Sequence, residues 1–273
     1  MAASDFVRHR LPCLIAVWFL SVQIASAQVR FSNYQEQTVY GLCQDFQTLY
    51  TQIREQRIAP DSARARFSAI MQALKNRYPT PVPVQADSLM SAASDSLAKP
   101  AASFVFPLRG YSAPAIGGTR GEGYRARGFD LFDFTVQGSH PAQDIFVRDR
   151  DQDNIDDRTG QPVDVLAMSS GLVIGIETAW QPGSEYRGGN WIWIYDPVQH
   201  GLFYYAHNHV VDVLPGQWVH AGQKIAEVGR TGFNAFKTRS PTHLHLMYLR
   251  ILSNGLPEPR NPYDWLVAAQ VVP

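Results

Sequence analysis

The chain has 273 residues, with 24 basic and 24 acidic side chains, no formal net charge at neutral pH and 45% hydrophobic residues. Neutrality removes any general attraction to polyanions, so neither nucleic acid nor an anionic membrane surface is expected as a partner. Glycine at 20 and proline at 18 fit a globular chain with many turns and exclude collagen-like or low-complexity sequence, while the length allows one large domain or two modest ones.

Residues 1–27 read as an export signal. Arg8, His9 and Arg10 form a short basic region, Leu11 to Ile24 is an apolar run, and Ala25-Ser26-Ala27 supplies the small-x-small pattern that signal peptidase accepts. The alternative, an uncleaved anchor, fits less well because a bilayer span needs roughly 20 apolar residues. No other segment approaches that length, so the expectation is an exported protein, periplasmic or extracellular, with no membrane span after cleavage. Removal of the signal leaves Cys43 alone. An internal disulfide is then impossible, and a buried, inert thiol is expected.

Residues 28–78 are expected to form an α-helical hairpin. Tyr34, Val39, Leu42, Phe46, Leu49 and Ile53 recur at helical spacing over 33–56. Pro60-Asp61-Ser62 restarts a helix that carries Phe67, Ile70, Met71, Leu74 and Tyr78. The hairpin holds no cluster of reactive groups, so packing, or docking of a protein partner, is its expected role. Residues 79–103, rich in proline, alanine and serine, read as a linker.

From Phe104 to Pro273 the pattern is that of a mainly β domain with antiparallel sheets. Short β-branched and aromatic runs alternate with turn residues: Val163–Leu166, Gly171–Ile176, Trp191–Tyr195, Leu202–Tyr205, Lys224–Val228 and His245–Leu249. Trp191 and Trp193 share a strand face and read as core. One later helix is expected, Pro262 to Val267.

Seven of the eight histidines lie between His140 and His245, which directs attention to metal-ligand spacing. His140 and Asp144 would lie about 13 Å apart along an extended strand, too far to share an ion. Pro141 favours a bend that could bring them together before a strand at Ile145; a capping Asp beside a surface His is the alternative. His243 and His245 are two apart in a strand-like run and so project from one face, with Leu244 and Leu246 turned to the core. Two adjacent imidazoles are costly unless a metal or substrate uses them, the alternative being an exposed edge strand. Tyr205-Ala206-His207 follows another apolar run.

In order and spacing these motifs resemble the lysostaphin/LytM-type zinc metalloendopeptidases, which cut peptidoglycan peptides. The resemblance rests on His140 to Asp144, Gly189-Asn190, Tyr205 to His207, Gly216 to Ile225, Gly229 to Gly232 and His243 to His245. It covers roughly 104–250 and leaves out the hairpin. It implies a LytM-like β domain in which His140, Asp144 and His245 bind Zn2+ and His207 and His243 form the catalytic pair. Hydrolysis of an amide in a cross-link or stem peptide would use zinc-activated water. One of the two histidines would take the proton and the other would steady the oxyanion, with the assignment between them open.

Leu246-Met247 stand where the family often has an aromatic residue and a glutamate. Asp149, Asp151 and Asp153 alternate as in a calcium loop, but Asn154 holds the glycine position and Gly160 the final acid position, so a solvated acidic loop is expected. Gly117 to Gly123 is expected to shape the rim of a groove, and His200, His209 and His220 to be surface or accessory residues. Two rival functions remain. One is a non-catalytic regulator of the same fold that binds and activates another wall hydrolase. The other is a wall carboxypeptidase with His-x(6)-Asp and Glu-x-x-His motifs, whose spacings disagree with this chain.

Overall fold

The computed structural model describes residues 34, 36–79, 104–133, 135 and 138–273. The proposed export signal and nearly all of the linker lie outside them. Among the described residues no helix is long and apolar enough to cross a membrane.

Two helices open the described chain. Helix α1 (Val39–Arg54) starts where Thr38 Oγ1 accepts the Gly41 N–H at 3.1 Å, and this cap sets the start later than the apolar spacing from residue 33 suggests. Gln56, at φ 55°, takes the chain out of the helix. Helix α2 (Pro60–Arg77) begins on proline, whose missing N–H would be unpaired in a first turn anyway. One face of each helix is buried: Leu42, Cys43, Phe46, Leu49, Tyr50 and Ile53 on α1; Ala63, Phe67, Ile70, Met71 and Leu74 on α2. Full burial of a single large apolar side chain contributes about 1.5–3 kcal/mol. Burial also pushes the Cys43 thiol up to about 11, so it is inert at neutral pH.

The remainder is mainly β, as expected. The strands are β1 (Ala142–Phe146), β2 (Asp164–Leu166), β3 (Gly171–Glu177), β4 (Asn190–Asp196), β5 (Gly201–Val211), β6 (Trp218–Val219), β7 (Lys224–Val228), β8 (His243–Ile251) and β9 (Pro257–Arg260), followed by α3 (Tyr263–Ala268). The main sheet runs β1-β8-β5-β4-β3-β6; β9 flanks β8, and β7 joins β2 to β5. Every pairing between these strands is antiparallel.

Several boundaries differ from the sequence reading. Strand β1 starts at Ala142 and so contains Asp144, where a bend running up to Ile145 was expected. Strand β5 continues past Tyr205 to Val211, and β8 begins at His243. The short β6 and β9 carry too few residues to show alternation. His200, expected at the surface, is half-buried.

Alternation gives the sheet two apolar faces. Phe203, Tyr205, Ile192, Ile194, Leu244, Leu246 and Tyr248 face a cluster with β2, β7, α3 and the segment from Phe104. Trp191, Trp193, Tyr195, Leu202, Tyr204, Met247 and Leu249 face the hairpin. There Phe46 meets Trp193 at 6.2 Å between centroids, and Tyr50 meets Trp191 at 5.0 Å. The docking includes a polar clasp. Gln47 donates to the Ile176 carbonyl at 2.7 Å and accepts the Ile176 N–H at 2.9 Å, beside the β-bulge at Val173–Gly175. Packing against the domain is therefore what the hairpin's apolar faces do.

Candidate active site

Pairing of β1 with β8 sets Asp144 directly opposite His245. Both side chains project on the hairpin face of the sheet, the side to which Ala142 and Met247 also turn. Asp144 Oδ1 lies 3.0 Å from His245 Nδ1 and 3.8 Å from His243 Nε2, and Oδ2 lies 3.2 Å from His140 Nε2. His140, just before the strand, is aligned by two backbone hydrogen bonds with Arg125, 2.7 and 2.6 Å long. One potential donor atom from each of His140, Asp144 and His245 lies within 4.8 Å of the others.

The second pair sits alongside. The rings of His207 and His243 are 4.8 Å apart, and His207 is 5.6 Å from His245. His207 reaches this position by departing from strand geometry. Strict alternation after Tyr205 would send it to the opposite face, but it holds φ at 70°, and the neighbouring ladder is bulged at Asn190/Trp191 and Asn208/Val210. A non-glycine residue in the left-handed region is uncommon and marks a locally enforced conformation. The Gly188 carbonyl enforces it by accepting the His207 N–H at 3.0 Å. Gly232 makes room: a Cβ there would collide with the Arg187 carbonyl and lie 2.9 Å from His207 Nδ1.

Backbone carbonyls orient three imidazoles. His140 Nδ1 is 2.8 Å from Gly123 O, His207 Nδ1 is 2.8 Å from Thr231 O, and His243 Nδ1 is 2.7 Å from Pro241 O. A carbonyl only accepts, so each Nδ1 carries a proton, and in the neutral form of His207 and His243 Nε2 keeps its lone pair. Burial presses His207 well below the usual histidine range, and the neighbouring His243 and His245 lower it further. Burial likewise lowers His243, against the pull of Asp144. Burial alone would raise Asp144, yet the hydrogen bonds from His140 and His245 outweigh it and hold the carboxyl below the usual carboxylate range. The pocket thus favours one carboxylate and neutral imidazoles in the His207–His243 pair.

Such a donor set suits a zinc ion. Ligand atoms at tetrahedral positions around Zn2+ are separated by about 3.3 Å. The His140–Asp144 contact of 3.2 Å and the His245–Asp144 contact of 3.0 Å are close to that, before any metal draws them together. The Asp149, Asp151 and Asp153 carboxylates also converge. The Asp149 carboxylate is already engaged by the Asp153 and Asn154 N–H groups and the Thr242 hydroxyl.

The five expected side chains therefore come together, whereas His209 and His220 are exposed. The glycine run from Gly117 does border the site, through Gly123 O on His140 and the Gly117 N–H on Asp144 O at 2.8 Å. Sequence reasoning missed Gly188 and Pro241, which act through backbone carbonyls and carry no side-chain signature; Thr231 lay within the Gly229 to Gly232 motif, but the role of its carbonyl was not read. Tyr204, whose ring is 6.3 Å from His245, was also missed.

Residues 153–257 match the model of Peptidase family M23. The match includes His207, His243 and His245 and begins after His140 and Asp144. Similar solved structures include a candidate glycyl-glycine endopeptidase lytM from Ruminococcus gnavus, 26% identical over 48% of each chain with a TM-score of 0.37. Lysostaphin from Staphylococcus simulans is 28% identical over 53% of this chain and 48% of its own, with a TM-score of 0.34. A zinc-containing peptidase from Vibrio cholerae is 20% identical over 62% of this chain and 41% of its own, with a TM-score of 0.36. The chain spans about half the length of the first two. No curated protein matches it.

Proposed function

We propose that the protein is an exported zinc endopeptidase that hydrolyses amide bonds in peptidoglycan peptides. The observation that carries this reading is the meeting of one carboxylate and four imidazoles, from β1, β5, β8 and the segment before β1, in a single pocket. His140, Asp144 and His245 would hold the metal through Nε2, the carboxylate and Nδ1. Zinc, when bound, supplies a Lewis acid that lowers the pKa of water and polarises the scissile carbonyl.

The chain's own residues do the rest. His207 and His243 turn their Nε2 atoms away from the carbonyls that hold Nδ1, so each offers a basic lone pair to the cleft. One accepts a proton from the attacking water and passes it to the departing amine. The other, taking up a proton from solvent as negative charge builds beside it, donates from Nε2 to the developing oxyanion. Their depressed pKa keeps both ready as bases at neutral pH, and the Asp144 charge alongside favours the imidazolium that forms in turn. With all five groups present, catalysis is favoured over the regulator reading, in which the fold would only bind and activate another hydrolase.

The experiment is digestion of isolated wall sacculi by the zinc-loaded protein, with the products read by mass spectrometry. Soluble peptides with newly freed amino and carboxyl ends are the expected result. Zinc-loaded protein that binds sacculi and releases nothing would instead establish the regulator.

A further inference from the structure

The hairpin lies outside the region that resembles the M23 peptidases, yet it touches two of the loops that reach the proposed site. The first is the excursion from Gly123 to His140. Its two ends meet at the site, where Arg125 and His140 pair through their backbones and Gly123 O holds the His140 ring. Its tip rests on α2. Phe132 packs edge-on against Phe67 at 5.3 Å, Arg64 forms an ion pair with Asp130, and the Arg64 guanidinium lies 5.3 Å above the Phe132 ring.

The second is the loop between β3 and β4, residues 178–189. It ends at Gly188, whose carbonyl fixes the His207 backbone, and at Gly189, where any Cβ would collide with Thr231. Its base rests on α1. Arg54, with only 7% of its side chain exposed, bonds Glu177 at 3.0 Å and stacks on Tyr186 at 4.5 Å and Trp191 at 5.4 Å. Tyr186 O in turn accepts the Trp180 indole N–H at 3.2 Å. Arg54, Glu177, Trp180 and Tyr186 line a cavity of about 370 Å³, and on its other side the loop meets Phe236 through Trp180 and the Phe233 N–H through Tyr186 O.

We propose that Arg54 and Arg64 are positioning residues for peptide binding. Each clamps one groove-flanking loop to the hairpin, so the hairpin is a working wall of the substrate groove. Neither arginine touches the five site residues, and each acts through the loop it holds. The inference rests on the peptidase reading for its effect on turnover, but the clamping itself does not.

Hydrogen–deuterium exchange of the full chain separates the two. Arg64→Ala should speed amide exchange about tenfold in 125–133 and leave 178–189 unchanged, and Arg54→Ala should do the reverse. The charge-swapped pair Arg64→Asp with Asp130→Arg should restore protection. Arg54→Lys should not, because lysine keeps the charge near Glu177 but loses the planar stack. Against a soluble dimeric muropeptide, each alanine variant should raise KM about three- to tenfold with kcat within about twofold and bound zinc retained. Loosening of both loops together with a falling unfolding midpoint, or unchanged exchange in either loop, would overturn the clamp. A wild-type protein that cleaves nothing would refute the peptidase reading and leave the exchange result to stand by itself.

Discussion

The hairpin-facing side of the sheet is divided between two solutions to one physical problem. Under the helices it presents Trp191, Trp193, Tyr195 and Leu202, whose large rings and side chains pack against Phe46, Tyr50 and their neighbours. A few ångströms away, past Tyr204, the same face presents His245, His243 and Asp144, which contact alone cannot satisfy. The covered half is met mainly by shape, with the Gln47 clasp at its edge. The polar half needs partners, and it finds them in one another, in backbone carbonyls and in the ion that the arrangement is suited to hold. A strand thus serves stability or chemistry according to whether a helix covers it.

If this division is real, changes in the two halves should have different signatures. The largest effect belongs to Asp144, which touches His140, His243 and His245. Asp144→Ala should lose both zinc and hydrolysis, as measured by metal analysis and sacculus digestion. His243→Ala should keep zinc and lose hydrolysis by about 10²- to 10⁴-fold, since it removes a proton carrier and no ligand. Equal zinc loss in the two variants would show that the roles are misassigned. On the covered half, Trp193→Ala should cost about 3–5 kcal/mol in urea unfolding, with zinc content and turnover per folded molecule unchanged. Loss of zinc in Trp193→Ala would join the two halves into one unit and end the comparison.

How much of this was legible in the sequence depended on the distance over which each feature is determined. The pairing of His243 with His245 is a two-residue repeat and could be read directly, as could the buried faces of α1 and α2. The union of His140 with Asp144 depended on how the chain enters β1, and their meeting with His245 needed the register of β1 on β8, which only the folded sheet fixes. His207 is the instructive case. Its place among the site residues came from resemblance alone, because alternation along β5 points it at the wrong face. What corrects it is a left-handed backbone held by Gly188 and given room by Gly232. The periodicity of the hairpin showed that it had an apolar face but could not say that the sheet was its target.

The smallest effect tests how the covered half is joined. Gln47 makes both hydrogen bonds to Ile176 that a neighbouring strand would have made. Gln47→Ala leaves that N–H and C=O without the clasp and should cost about 1–3 kcal/mol. Gln47→Glu is the more discriminating change. An ionised carboxylate still accepts the Ile176 N–H, but its other oxygen then faces the Ile176 carbonyl, and the two repel. The folded state therefore favours the protonated form, and the carboxyl so introduced titrates above its unfolded value of about 4.3. Above the folded pKa the variant carries its full penalty. As the pH falls through that value the carboxyl gains a proton to donate to the carbonyl, and stability relative to wild type recovers. Urea midpoints from pH 7 to 4 should converge for wild type and Gln47→Glu but stay parallel for Gln47→Ala. Parallel curves for both variants would mean that the clasp contributes through side-chain packing and that its two hydrogen bonds do not hold the hairpin to β3.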